Sequence, residues 1–273
     1  MIIQIHTPQQ PLRAFIKSII YYEGHTASQP FEMLLPDGNS QLIIELDGND
    51  RVLKNETQNA DLRLNASWIT GIQTKPVVYR SEIQATTLSI QFEPSGLFAL
   101  FGVPASKFQD KMVDTISVTP APIAQLREQI LDCSSHIDKI FATTNQFLEQ
   151  RVLRTQSKAK LISFVIGRLC NQNRPLADIS TEVGYSQKQL IQIFKEHVGV
   201  SPKRYQRIHR FNHSLQLLSA QPTTDYSALL SACNFYDQPH FINEFRHFSG
   251  YTPSQYQLME LDYPHVISLD EIG

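Results

Sequence analysis

Cysteine is scarce: Cys133, Cys170 and Cys233 are the three in 273 residues, with no Cys-x-x-Cys and no Cys/His metal spacing. This excludes a disulfide framework and suits buried thiols in a reducing compartment. No apolar run approaches the roughly 18 residues that suggest a membrane span. Residues 1–6 lack the charged and then apolar pattern of a secretion signal. A soluble cytoplasmic protein without membrane contacts is expected. Histidine is thin where strands dominate: residues 1–155 hold His6, His25 and His136, none spaced as a ligand pair. No metal and no other cofactor is expected. There is no Gly-rich phosphate loop and no nucleophile elbow, and the Cys133/His136 pair lacks a third orienting group. Catalysis is not expected; a cupin-type enzyme stands only as a remote alternative.

Charge is unevenly spread. The net charge of −2 divides into 13 Lys and Arg against 16 Asp and Glu in residues 1–155, then 11 against 6 in residues 156–258. Residues 259–273 hold four acids and neither Lys nor Arg. A basic segment of +5 on an otherwise acidic chain is the electrostatic footprint of phosphate binding. The length fits two domains of ordinary size. The expected limits are a β-rich domain, 1–155, a helical reader, 156–258, and a tail, 259–273.

Residues 1–105 read mostly as strand. Runs rich in β-branched and aromatic residues lie at 2–5, 16–22, 31–35, 41–46, 68–72, 77–79 and 88–92. Turn signals such as Pro36-Asp37-Gly38-Asn39 and Asp47-Gly48-Asn49-Asp50 separate them. Many short strands with regular turns suggest a barrel or sandwich. Residues 11–17 and 95–102 are candidates for short helices. Tyr21, Tyr22, Trp68 and Tyr79 either line an effector pocket or form the aromatic core of this unit. From Pro122 the period turns helical, with Ile123, Leu126, Ile130, Ile137, Ile140, Phe141, Phe147 and Leu148 recurring to about residue 153. This predicts two antiparallel helices with a break near Ser134-Ser135. Their apolar face packs on its own domain or forms a homodimer surface. Thr155-Gln156-Ser157 is the expected domain boundary. The acidic tail has no usable period and is expected to be a flexible or loosely docked end.

The last third of the chain carries an internal echo. The stretch from Phe194 through Gly199, Ser201 and Pro202 to Tyr205 recurs from Phe245 through Gly250, Thr252 and Pro253 to Tyr256, offset by 51. Gly just past a helix, a hydroxyl residue at the N-cap and Pro at the first helical position are the stop and start signals of consecutive helices. Gly184-Tyr185-Ser186 and Asn234-Phe235-Tyr236-Asp237 supply a tight turn before each copy. Two helix-turn-helix units follow. On the first, Gln187, Lys188, Ile191 and Gln192 fall on the outward side and are the expected base readers, with Lys195 on phosphate. On the second, Gln238, His240 and Asn243 are the expected readers, with Arg246 on phosphate. Gln and Asn suit adenine, Lys suits guanine, and Ile191 suits a thymine methyl. Between the units one long helix from Pro202 carries Arg204, Arg207 and Arg210, also expected on phosphates.

Residues 158–257 resemble the DNA-binding domain of AraC/XylS-family bacterial transcription regulators. The ordered motifs Gly184-Tyr185-Ser186, Phe194-Lys195-x3-Gly199-Val200-Ser201-Pro202, Phe235-Tyr236-Asp237-Gln238-Pro239-His240-Phe241 and Gly250-Tyr251-Thr252-Pro253 carry the resemblance. The sequence departs from that pattern at Asn234, where the family usually has Gly, and at Asn243, where it usually has Arg. Leu35-Pro36-Asp37-Gly38 and Ile90-Gln91-Phe92-Glu93-Pro94-x-Gly96 resemble the sensory part of one AraC subgroup, which implies a cupin-like effector or oligomerisation domain. The whole is expected to be α+β and multidomain: an amino-terminal β-barrel or sandwich, a helical connection, and an all-α tandem helix-turn-helix. The expected partners are double-stranded promoter DNA, a small effector and a second copy of the chain, with RNA polymerase also open. The alternative is a DNA-binding regulator without an effector, whose amino-terminal domain serves self-association or protein contacts.

Overall fold

The computed structural model describes residues 1–26, 29–49, 51–53, 62–80, 83–118, 120–133, 136–151, 156–223, 225–259, 261 and 263–270. The expected helix break at Ser134-Ser135, the end of the second helix near 153 and the first residue of the expected boundary, Thr155, lie outside these residues. Among the described residues the amino-terminal half opens with nine strands: β1 (Ile2–His6), β2 (Ile16–Thr26), β3 (Phe31–Leu34), β4 (Gln41–Glu45), β5 (Arg51–Leu53), β6 (Leu62–Leu64), β7 (Ser67–Thr70), β8 (Val77–Arg80) and β9 (Ile83–Phe92). Then come α1 (Gly96–Phe101), β10 (Met112–Asp114), α2 (Pro120–Leu131) and α3 (Ile137–Glu149). The stretch 11–17 holds a single 3-10 turn, Leu12–Ala14, and 95–102 holds α1 as expected.

The strands form two antiparallel sheets rather than a closed barrel, a sandwich-like arrangement. The larger runs β1-β2-β9-β4-β7-β10. The smaller runs β3-β8-β5-β6 and gains a fifth strand on the free side of β3 from the far end of the chain. Side chains alternate across a strand, so neighbours on β2 part company: Tyr21 enters the main core, while Tyr22 faces the other sheet. Leu42 and Ile44 of β4 likewise join Ile69, Leu88 and Ile90 on the outer face of the larger sheet. That face is covered by α2 and α3 through Ile123, Leu126, Ile130, Ile140, Phe141 and Leu148. The apolar stripe of these helices is thus intradomain core, the first of the two expected alternatives. Ile137 packs against the same core. Gly96 marks a close approach at the edge of this core: a Cβ there would sit 1.9 Å from the Phe15 carbonyl oxygen.

The carboxyl-terminal module contains α4 (Gln156–Ile166), α5 (Leu176–Glu182), α6 (Gln187–Val198), α7 (Pro202–Ala220), α8 (Ser227–Ala232), α9 (Gln238–Ser249) and α10 (Pro253–Gln257). A π-helical turn, Gly167–Asn171, extends α4. The caps follow the sequence signals. Ser186 Oγ accepts from Gln189 N–H, Ser201 Oγ from Arg204 N–H, Asp237 Oδ1 from His240 N–H and Thr252 Oγ1 from Gln255 N–H. Each satisfies an orphan donor, and loss of such a cap costs about 1 kcal/mol. Gly199 and Gly250 close α6 and α9 in the left-handed region at φ 107° and 81°. Asn234 adopts φ 55° in the second turn. Inside, Phe211 of α7 lies 5.3 Å, ring to ring, from both Phe245 and Phe248 of α9. Truncating such a buried ring costs about 3–5 kcal/mol.

The two halves are packed together. Leu35 and Ile72 of the sheet domain belong to the same apolar cluster as Phe194, Ile208 and Phe211 of the helical module. Phe98 of α1 lies 4.2 Å from the His197 ring of α6. After α10 the chain returns as β11 (Val266–Leu269), antiparallel to β3, with Ile267 buried at the seam. A loosely docked tail was expected; residues 266–269 instead form a strand, because β3 presents unpaired backbone groups beside the helical module.

Candidate DNA-reading face and effector cavity

The short helix α5 and the Gly184-Tyr185 turn set the start of α6, and its amphipathic pattern fixes which side is left outside. Leu190, Phe194, His197 and Val198 are buried, whereas Gln187, Lys188, Gln192 and Lys195 are exposed and Ile191 is half-buried among them. In α9, Phe241, Phe245 and Phe248 are buried, and Gln238, Asn243 and Arg246 are exposed. His240 is half-buried: its Nδ1 accepts from Tyr236 N–H at 3.4 Å and its ring stands edge-on to Phe235. Both helices therefore keep a polar outer side, while the sheet domain packs on the inner side and carboxyl end of α6.

The arginines of α7 divide. Arg204 is exposed. Arg207 grips Glu244 of α9 in two parallel bonds, Nε to Oε2 at 2.9 Å and Nη2 to Oε1 at 2.7 Å. Arg210 lies over the Phe235 ring and donates to the Asn234 carbonyl at 3.3 Å. Burial pushes the Glu244 carboxyl up, but the Arg207 hydrogen bonds and the charges of Arg207 and Arg210 outweigh it and hold the group below its ordinary range. Arg207 and Arg210 were expected on phosphates; here both are engaged in the α7–α9 contact and only partly exposed. Tyr236, in the turn before α9, was missed. It is 91% exposed, next to the amino terminus of α9. The signal was present: Gly184 to Asn234 is an offset of 50, Ser186 to Asp237 one of 51, so the second turn is one residue longer.

A cavity of about 540 Å³ lies between the two sheets. Tyr22, Trp68 and Tyr79 line it; Tyr21 does not, because it points to the opposite face of β2. Tyr21 donates to Glu23 Oε2 at 3.2 Å, and burial together with that carboxylate pushes its phenol up to about 12. One side of the cavity holds an ionic cluster. Arg51 bonds Glu45 and, at 2.7 Å, Asp47, while Thr87 Oγ1 donates to Glu45 Oε2 at 2.9 Å. Burial raises Glu45 to about 7 despite the lowering effect of Arg51 and Thr87. Tyr79 donates its hydroxyl to Glu32. Gln41, Ser89 and Gln91 also face the cavity, and Asn212 and Gln216 of α7 and His265 border it from the helical side. Among the described residues, no three His, Cys, Asp or Glu gather as metal ligands. His6 lies elsewhere, stacked on Phe141 and bonded to Asn145. Among these residues no helix is long and apolar enough to cross a membrane.

A family model described as a helix-turn-helix domain matches residues 179–259. The chain carries a helix-turn-helix domain over these residues. A second model, described as a domain of unknown function (DUF6597), matches residues 4–114. The chain is 32% identical over 101 residues to the HTH-type transcriptional regulator ArgR of Pseudomonas aeruginosa, covering 36% of this chain and 30% of that protein. It is also 32% identical over 95 residues to the uncharacterized HTH-type transcriptional regulator YidL of Escherichia coli, covering 35% and 31%. The chain thus spans under a third of the length of these relatives. Among solved structures, ToxT of Vibrio cholerae, described with unsaturated fatty acid bound, aligns at a TM-score of 0.48 and 11% identity, covering 88% of this chain and 94% of that one. Lys188, Lys195, Arg204 and Arg246 are exposed basic groups of this domain singled out from sequence.

Proposed function

We propose that the protein is a sequence-specific, DNA-binding transcription regulator of the AraC type, acting in the cytoplasm and controlled by a small molecule held between the sheets of its amino-terminal domain. The observation that carries this reading is the pair of equivalent helices α6 and α9, each capped at both ends and each keeping its polar side outside. In this role they enter successive major-groove segments about 34 Å apart. Gln187, Lys188, Ile191 and Gln192 read one half of the site; Gln238, His240 and Asn243 read the other. Lys195, Arg204 and Arg246, with the amino terminus of α7, hold phosphates and set the register. Self-association would need a surface other than the apolar sides of α2 and α3, which the larger sheet covers.

Selection of bound sequences by the full chain tests this reading. Gln192→Ala should relax preference in one half of the selected site and Asn243→Ala in the other. Each should cost about 1–3 kcal/mol against the preferred base. Unaltered selection by both variants would count against the assignment, and an affinity indifferent to salt would count against DNA as the partner.

A further inference from the structure

The cavity has two unlike walls. On the larger sheet, the register sets Gln91 beside Gln41 and Gln41 beside Thr70, with Ser89 two residues along β9. All four side chains line the space. Hydroxyls orient the amides: Ser18 donates to Gln91 Oε1 and Ser89 to Gln41 Oε1, each at 3.0 Å. Facing this neutral polar row, the smaller sheet contributes Val266, Leu34 and Val77, which are consecutive neighbours across β11, β3 and β8. Tyr22 and Trp68 add flat aromatic surface.

These walls set the chemistry of an occupant. A long aliphatic chain would cover the Gln91 amide and the Ser89 hydroxyl without replacing their water, while Gln41 is held by Ser89 and, through Nε2, by Asp37 Oδ2 at 3.4 Å. An anion would meet Glu32, Asp37 and Glu45, and the cationic side chains Arg51 and Lys17 among the described lining residues are already engaged, Arg51 with Glu45 and Asp47 and Lys17 with Asn39. A cation would have to compete for carboxylates that are already bonded within the protein: Glu45 by Arg51 and Thr87, Glu32 by Tyr79, and Asp37 by the Asn39 backbone and side chain. The third border belongs to the DNA-reading half. Asn212 and Gln216 lie one turn apart on α7, and His265 Nε2 donates to Asn212 Oδ1 at 2.5 Å.

We propose that this cavity takes a neutral small molecule with several hydroxyl or amide groups along one edge and an apolar or flat opposite face, held between the Gln41–Ser89–Gln91 row and Asn212. The proposal rests on the reading of the protein as an effector-controlled regulator and names the effector's class. A ligand so placed touches both halves of the chain at once, so its binding is linked to how the AraC-type domain is docked.

The test uses the full chain, with thermal unfolding and calorimetry as readouts. Neutral probes are myo-inositol, D-glucose and uridine; charged amphiphiles are decanoate and octylamine. At least one neutral probe should bind saturably and raise Tm. The Gln41→Leu/Gln91→Leu variant and, independently, Ser89→Ala and Asn212→Ala should weaken that probe tenfold or more, with circular dichroism and unliganded Tm reporting that each is folded. Stabilisation by decanoate or octylamine alone, by none of the probes, or by a neutral probe that every folded variant still binds equally overturns the proposal. DNA binding by the unliganded wild type is measured beside it: failure there removes the regulator reading, whereas intact DNA binding without neutral-probe binding removes only the ligand class.

Discussion

Arg204, Arg207 and Arg210 share a residue type and a spacing, yet only the first is exposed. Residues three apart advance about 300° around a helix, so each successive arginine turns roughly 60° back. That drift carries the series from solvent into the contact with α9, where Glu244 waits. Sequence spacing gave the charges but not the partner, which sits on another helix. Glu244→Ala should lower stability by about 1.5–3 kcal/mol at neutral pH, since it strands two guanidinium groups. The acid limb should change too. The folded carboxyl titrates below its ordinary value of 4.5, so its contribution is fully present above that value and fades as pH falls through the folded one. Thermal unfolding from pH 7 to pH 3 should show a shallower acid loss in Glu244→Ala than in wild type; parallel curves would mean the pair contributes nothing. Arg246→Ala, at an exposed position, should leave Tm unchanged. It should weaken all DNA sequences alike and reduce the salt slope by about 0.9. Arg207→Ala should instead lower Tm.

Elements with local punctuation were legible in the sequence. Ser186, Ser201, Asp237 and Thr252 announce helix starts, and Gly199 and Gly250 announce ends, within a few residues of the caps they form. The alternation along β2 and β4 was also present, although which face would be core and which would line a cavity was not. Periodicity reports that α2 and α3 have an apolar side, not what covers it. The strand β11 was invisible because four residues carry almost no local signal and its partner, β3, lies near the other end of the chain. Its ladder is nonetheless a joint: Leu35 N–H donates to the His265 carbonyl, and Tyr256 donates its hydroxyl to the Pro264 carbonyl at 2.8 Å. A chain ending at Pro264 should lose the burial of Ile267, worth about 1.5–3 kcal/mol, together with the strand pairing. Its Tm should fall and the Asn212 border of the cavity should lose its bond to His265. Differential scanning calorimetry reads this directly, and an unchanged Tm would show that the strand is not a structural joint.

At the scale of the molecule, the basic reader of +5 is set on an acidic sheet domain, which leaves phosphate attraction to the helical side alone. The described contacts between the two halves are mainly apolar. The halves meet through Leu35, Ile72 and Ile267 against the helical core, through Phe98 on His197, and through the approach of Ala105 to Gly199, where a Cβ would stand 3.2 Å from the Ala105 carbonyl oxygen. Burial between the halves holds His197 below its ordinary pKa. The turn after α6 is thus fixed by the sheet domain, and so is the place from which α7 starts towards the second reading unit. A fragment of residues 156–258 should still bind DNA with steep salt dependence, because both sets of caps and the Phe211–Phe245–Phe248 packing lie within it. It should unfold at a lower temperature than the same helices in the full chain, since Leu35, Ile72 and Ile267 no longer cover its core. Phe98→Ala in the full chain should move the helical transition part of the way towards that of the fragment while sparing the sheet domain. Calorimetry of the three proteins decides the matter. One shared transition that Phe98→Ala splits would mean docking couples the halves. Two transitions in the wild type, with the helical one already at the fragment's temperature, would mean that the seam transmits nothing and that a ligand between the sheets has no mechanical route to the reader.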